Sequence, residues 1–264
     1  MLVQLTIRIF DPHESCALQV LTFDFHNTLA HCDPWFDLEV RDLPWAVLQL
    51  LDIGPSATSK ARVDDTYRQL RLDVITSGIE IDAYDAVWRI FDDLGVVADK
   101  ETVRLAIDDL MYRSTLAMEP VAGAVQTVRH LHAAGVRLGV ISSAVHHLSL
   151  DWILDRLGIA ECFDSVVTSA SCGYYKSTTA IYDVSLGHLG GDAATSVHVG
   201  DSLRWDVATA QQAGMTAVWL QTPRRETFAT RTPDITLALT LQTLEQAGPV
   251  LVDLLERVRV PVDA

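Results

Sequence analysis

Apolar residues are spaced in two different ways along the chain, and the change of spacing divides it. Leu18 to Phe25 is an almost unbroken apolar run of Leu, Val and Phe that stops at the polar turn His26-Asn27-Thr28, which predicts a short buried strand. Before it, Leu2 to Phe10 alternates apolar and polar residues and reads equally as a short strand or an ill-ordered leader. From about Cys32 to Met118 the period becomes helical. Pro44 to Leu51 opens on a proline, the residue best tolerated in a first turn, and stops before Gly54. Ser59 to Ser77 carries Val63, Tyr67, Leu70 and Val74 on one face. Ile81 to Leu94 carries Tyr84, Trp88 and Phe91, and Thr102 to Leu116 carries Val103, Ile107, Leu110 and Met111. Residues three and four apart share a stripe, so these four segments predict amphipathic helices packed as a bundle.

Beyond Pro120 helical and strand patterns alternate. Helices are expected at Ala122 to Ala134, His147 to Leu157, Thr178 to His188, Trp205 to Ala213 and Gly248 to Val258. Strands are expected at Arg137 to Ile141, Ser165 to Ser169, Ser196 to Val199 and Ala217 to Leu220, with one more at Asp234 to Leu239. Alternation of this kind builds a parallel sheet covered on both faces. The fold class is therefore α/β, a Rossmann-like doubly wound sheet, formed by residues 1–31 and 119–264. The all-helical segment, residues 32–118, is an insertion after the first strand.

Composition narrows the partners. The 264 residues are 49% hydrophobic and 21% charged, enough for a full core. A net charge of −15 repels nucleic-acid backbones and rules against a polymer of that kind as partner. No apolar run approaches the roughly 18 residues of a membrane span. The N-terminus lacks a basic start followed by an apolar block. Cys16, Cys32, Cys162 and Cys172 form no Cys-x-x-Cys pair, which leaves reduced, buried thiols as the expectation and a cytoplasmic location with it. Oligomeric state is not readable.

In a doubly wound sheet a ligand sits beyond the carboxyl ends of the strands. The first strand end carries Asp24, and a carboxylate can attack phosphorus to form an acyl phosphate. The next carries Ser142 and Ser143, whose hydroxyls and N–H groups could hold phosphate oxygens. Lys176 follows the third strand and could neutralise both a phosphate and the attacking carboxylate. Gly200-Asp201-Ser202 closes a fourth, with Asp206 five residues on. Mg²⁺ takes one or two carboxylates together with water and phosphate, which suits this set.

This order of Asp, Ser, Lys and Gly-Asp resembles the four motifs of the haloacid dehalogenase-like superfamily, and the likeness runs from about Leu18 to Leu239. The helical insertion is similar to that family's cap domain. The resemblance implies a nucleophilic Asp24 and a Mg²⁺ held by Asp24, Asp201 and the backbone carbonyl of His26, with Asp206 in support. It implies that Ser142, Ser143 and Lys176 hold the transferring group, that Lys176 also serves catalysis, and that the substrate is a small phosphorylated metabolite.

One position departs from the pattern. Phosphatases of the family usually carry a second Asp two residues after the nucleophile, where this chain has His26. Imidazole can give and take a proton near neutral pH, so His26 is a candidate acid/base. Two other readings stay open: a reaction that needs no acid there, and a protein that binds phosphate and metal but turns over poorly, in a regulatory role. A 2-haloacid dehalogenase using the same Asp24 on carbon is the alternative enzyme; its weakness is the acid pair Asp201 and Asp206, which would repel a carboxylate substrate. His146-His147 reads as a helix start, Trp88 as core, and Trp35 as either core or a lining of the gap between insertion and sheet. Arg224, Arg225 and Arg231 read as a solvated loop or as attractors of an anionic substrate.

Overall fold

The computed structural model describes residues 19–53, 59–222 and 235–259. Its first strand, β1 (Val20–Phe23), is buried throughout. A two-stranded ribbon of β2 (Ala30–His31) and β3 (Glu119–Pro120) then brackets a helical block of α1 (Asp33–Asp37), α2 (Leu43–Leu50), α3 (Lys60–Ser77), α4 (Ala83–Asp93) and α5 (Lys100–Thr115). After the ribbon come α6 (Ala124–Ala133), β4 (Arg137–Ser142), α7 (His147–Leu157), β5 (Ser165–Thr168), α8 (Ser169–Cys172), α9 (Ala180–Leu189), β6 (Ser196–Gly200), α10 (Thr209–Gln212), β7 (Thr216–Leu220), β8 (Leu239–Leu241) and α11 (Ala247–Arg259).

The main sheet has the order β5-β4-β1-β6-β7-β8, and every pairing in it is parallel. Alternate residues of β1 feed two cores. Leu21 and Phe23 join the cluster that holds α6, α7 and α11, and Val20 joins the one that holds α9 and α10. Both faces being covered is why strand sequences here are apolar runs rather than alternations. The chain order reverses at β1, between β4 and β6, so a crevice opens above the β1 carboxyl end.

The helical block starts earlier than its apolar stripes suggest. α1 follows Cys32, and a π-helical turn, Leu38–Asp42, joins it to α2. Two prolines sit at helix starts, Pro34 in α1 and Pro44 in α2. Caps fix the other entries: Ser59, Asp82 and Asp99 accept the N–H groups of Arg62, Asp85 and Thr102. Trp88 packs against the core from its rim. It is half-buried, with the Lys100 ammonium 4.8 Å from its ring centroid. The strand expected at Asp234 to Leu239 is instead β8, shifted to Leu239–Leu241, and the part of that expectation at Asp234 lies outside the described residues. So do the expectations for Leu2 to Phe10, Cys16, Gly54, Arg224, Arg225 and Arg231. No helix among the described residues is long and apolar enough to cross a membrane.

Block and sheet meet over the loops that follow β4 and α8. Gly78 ends α3 at φ 74°, a left-handed conformation that favours glycine. A Cβ there would lie 2.2 Å from Thr178 Cγ2, so the close approach of the two parts also requires glycine. Next to it Arg71 of α3 forms a two-armed ion pair with Glu80 at 2.5 and 3.1 Å, and both side chains are buried.

Candidate active site

Register brings the site together. Phe23 is the last paired residue of β1 and lies beside Val140 of β4 and Val199 of β6. Asp24, Ser142 and Asp201 therefore all emerge within two residues of one level at the carboxyl edge. The Asp24 N–H donates to the Val199 carbonyl at 2.8 Å, which holds its backbone down on the sheet edge. Lys176 arrives from the loop between α8 and α9. Its ammonium donates to Asp24 Oδ1 at 2.6 Å and to Asp206 Oδ1 at 2.8 Å. The second Asp24 oxygen accepts the Thr28 hydroxyl at 2.9 Å, and the second Asp206 oxygen accepts the Ser202 N–H at 2.9 Å. Asp206 sits in a π-helical turn, Leu203–Ala208, against Gly200. A Cβ on Gly200 would lie 2.4 Å from the Asp206 Cγ, so only glycine leaves room for this carboxylate.

Burial sets the electrostatics. The Asp24 carboxyl is pushed up to about 6, first by its burial and then by the Asp206 charge, against the pull of Lys176. Asp206 is buried too, yet the Lys176 charge and the His198 imidazole outweigh that and hold it below the usual carboxylate range. Burial lowers the Lys176 pKa, but the charges of Asp206 and Asp24 more than reverse this and keep it protonated. Of the two carboxylates that Lys176 bonds, Asp24 is thus the one with charge left to compensate. One ammonium cannot neutralise two carboxylates. Asp24, Asp201 and Asp206 each offer an oxygen, and these lie within 4.8 Å of one another. Three carboxylate oxygens at that spacing with an excess of negative charge fit a hard divalent cation.

The other expected residues fall in different surroundings. Ser142 is buried at the end of β4. Ser143 follows directly and is half-buried beside it. His26 is half-buried with its ring stacked on Phe36, 4.8 Å between centroids and 3° from parallel. Its Nε2 accepts the Cys32 N–H at 3.4 Å, a long and weak bond. Trp35 is fully buried beside both Phe25 and His26, so it belongs to the packing under the block. His146 caps α7 as expected, and its Nε2 also faces Asp108 of α5 at 3.1 Å.

Sequence reasoning missed Thr28, which the four-residue spacing from Asp24 could have suggested. It also missed His198, fully buried on β6. His198 Nδ1 lies 2.8 Å from the Thr22 hydroxyl, and its Nε2 faces Asp206 Oδ1 at 3.6 Å. Two residues upstream of Gly200 in an apolar strand, it looks like strand sequence and nothing more.

The family model of the haloacid dehalogenase-like hydrolases matches residues 18–214. The chain is 27% identical over 203 residues to a glyceraldehyde 3-phosphate phosphatase of Methanothermobacter thermautotrophicus, across 76% of this chain and 84% of that one. It is 25% identical over 202 residues to a glyceraldehyde 3-phosphate phosphatase of Methanocaldococcus jannaschii, across 75% and 82%. Its fold is similar to the crystal structure of a 2-haloacid dehalogenase from Pseudomonas syringae, with a TM-score of 0.65 at 22% identity over 90% of this chain and 99% of that one. With the family model matching well over half of its length, the chain belongs to the haloacid dehalogenase-like hydrolases.

Proposed function

We propose that this hydrolase is a Mg²⁺-dependent phosphatase that acts on a small phosphorylated metabolite through an aspartyl-phosphate on Asp24. The observation that carries the reading is the pairing of Asp24 with Lys176 inside a converging set of three carboxylates. The two archaeal relatives, both phosphatases of a small phosphorylated aldehyde by name, support the substrate class. The helical block, residues 32–118, acts as the cap, and the rest forms the catalytic core.

Asp24, Asp201 and the backbone carbonyl of His26 would hold the cation, with Asp206 joining them directly or through water. When bound, Mg²⁺ supplies positive charge that offsets repulsion between Asp24 and the phosphate and stabilises charge on the transferring group. The Asp24 oxygen bonds to phosphorus as the bond from phosphorus to the leaving oxygen breaks. Lys176 keeps the Asp24 oxygen aimed and keeps the carboxyl ionised, working against its burial. Ser142 and Ser143 hold the phosphoryl oxygens. The departing alkoxide takes a proton from His26. A water then attacks phosphorus, gives its proton to His26, and releases phosphate and the Asp24 carboxylate.

His26 can do this only if its ring leaves the Cys32 N–H, which at 3.4 Å costs little. The stacking on Phe36 favours a second reading for this residue alone: the ring packs the block and the leaving group departs unaided. Activity of His26→Ala on alkyl and on activated aryl phosphates separates them. A loss of about 10²–10⁴-fold confined to the alkyl ester supports the acid/base role, and equal losses on both count against it.

The decisive experiment is a panel of phosphate esters and 2-haloacids, with and without Mg²⁺. Metal-dependent phosphate release that disappears in Asp24→Asn supports the phosphatase. Halide release without metal would replace it with the dehalogenase reading. Tight phosphate and Mg²⁺ binding with no turnover on any substrate would replace it with a regulatory binding protein.

A further inference from the structure

The loop that follows Ser142 and Ser143 belongs to the core by sequence, yet the sheet satisfies little of its backbone. The Val145 N–H donates to Glu39 Oε1 at 2.5 Å, and the Val145 carbonyl accepts the Ala83 N–H at 2.8 Å. The His146 ring faces Asp108 and the Tyr84 hydroxyl. Glu39, Ala83, Tyr84 and Asp108 all lie in the helical block. The core holds the Ala144 carbonyl through the Ala170 N–H at 3.2 Å, but both Val145 backbone groups are satisfied only while the block is docked, and buried backbone polar groups without a partner are costly.

Glu39 is an unusual residue to find in that place. It lies in the π-helical turn between α1 and α2, and its side chain is buried. The Tyr67 hydroxyl fixes its position by donating to its main-chain carbonyl at 2.7 Å. Burial, with the Glu80 charge adding to it and the Val145 N–H and the Arg71 charge opposing, pushes its carboxyl up to about 8. It therefore sits there as a neutral acid near pH 7 whose lone pairs serve the loop rather than a counter-ion.

We infer that Glu39 is a positioning residue through which the helical block sets the Ser142–Ser143 loop for phosphate. Glu80 braces the same loop from below. Its Oε2 accepts the Ser169 hydroxyl at 2.6 Å, and the Ala144 carbonyl lies 3.1 Å from that same hydroxyl. Docking of the block and formation of the phosphate-holding loop are then one event. The inference rests on the phosphatase reading for its ligand, and its geometry stands apart from that reading.

The test compares Glu39→Gln, which keeps an acceptor oxygen at neutral charge, with Glu39→Ala, which removes it. Glu39→Gln keeps KM and the Ki of inorganic phosphate within about two-fold of the unaltered enzyme. Glu39→Ala raises both about ten-fold or more, the scale of one lost buried acceptor, while kcat on an activated aryl phosphate falls less. In the unaltered protein, the Val145 amide exchanges with solvent as slowly as those of β4. Loop-like exchange at that amide overturns the inference even if Glu39→Ala does not fold. Unchanged KM and Ki in a folded Glu39→Ala, beside an active unaltered enzyme, overturns it and leaves the phosphatase reading intact. A protected Val145 amide in a protein with no phosphate turnover does the opposite.

Discussion

At the carboxyl edge of the sheet, Lys176 stands between Asp24 and Asp206 and leaves Asp24 with a carboxyl pushed up to about 6. Under the helical block, Arg71 faces Glu80 in a two-armed pair, and Glu39 beside them is pushed up to about 8. Both places bury more acid than base. At the edge the excess is gathered on oxygens that converge within 4.8 Å, a geometry that a cation can occupy. At the junction the excess acid is spent on backbone N–H groups, and its carboxyls point to different partners. Convergence on one point is what separates chemistry from scaffolding here, since the residue types are the same.

Removing the central cation of either cluster breaks the comparison most severely. Lys176→Met leaves two buried carboxylates facing each other, and the metal-free protein is expected to lose roughly 3–5 kcal/mol in urea unfolding. Added Mg²⁺ recovers part of that loss, whereas phosphate turnover stays lost. Arg71→Met orphans Glu80, which keeps the Ile81 N–H and Ser169 hydroxyl as donors, so a loss of about 2–4 kcal/mol is expected. Here Mg²⁺ recovers nothing; recovery by Mg²⁺ in both variants would erase the distinction drawn between the clusters.

Asp24→Asn sharpens it with the opposite sign. The native state holds the Asp24 proton more tightly than the unfolded chain does, since 3.8 becomes about 6. The stability so contributed is complete below pH 3.8 and is lost as pH rises through about 6. In EDTA at pH 7, Asp24→Asn should therefore unfold later than the unaltered protein, by on the order of 1–3 kcal/mol. The gap closes as pH falls toward 4. A lower melting temperature for the variant in EDTA would show that the charge on Asp24 is already compensated without metal.

Glu39→Gln extends the same reasoning to the junction. The Glu39 carboxyl moves from 4.5 to about 8, so its contribution is lost between those two pH values. The variant should gain on the unaltered protein across that window and run parallel to it above pH 8, by on the order of 2–5 kcal/mol at pH 9. Urea unfolding at pH 5, 7 and 9 measures it, and parallel curves throughout would mean that Glu39 titrates as an ordinary surface acid.

Chain order alone made much of the core readable. Leu18 to Phe25 announces a buried strand because a doubly covered strand must be apolar throughout, and β1 is buried along its whole length. The alternation after Pro120 announces parallel strands for the same reason. Asp24 and Asp201 were readable because polar residues at the ends of apolar strands have one shared destination, and Lys176 and Asp206, in a loop and a π-helical turn, were readable through the four-motif resemblance. Short elements were not: α1 and α8 are each under two turns, too brief for a periodic stripe. His198 was hidden because a strand residue gives no sign of which neighbour across the sheet it will meet.

The sequence by itself determined a parallel α/β sheet with helices inserted after its first strand, and it determined which acids gather at the carboxyl edge. Strand register does the gathering, and register follows from local apolar pattern. Only the tertiary structure decided that Glu39 reaches Val145, 106 residues away. It also decided that His26 stacks on Phe36 and that His198 stands behind Asp206. Those contacts depend on how a block of helices lands on a sheet, and no spacing along the chain encodes that landing. A buried acid among amphipathic helices looks, in sequence, like any solvated one.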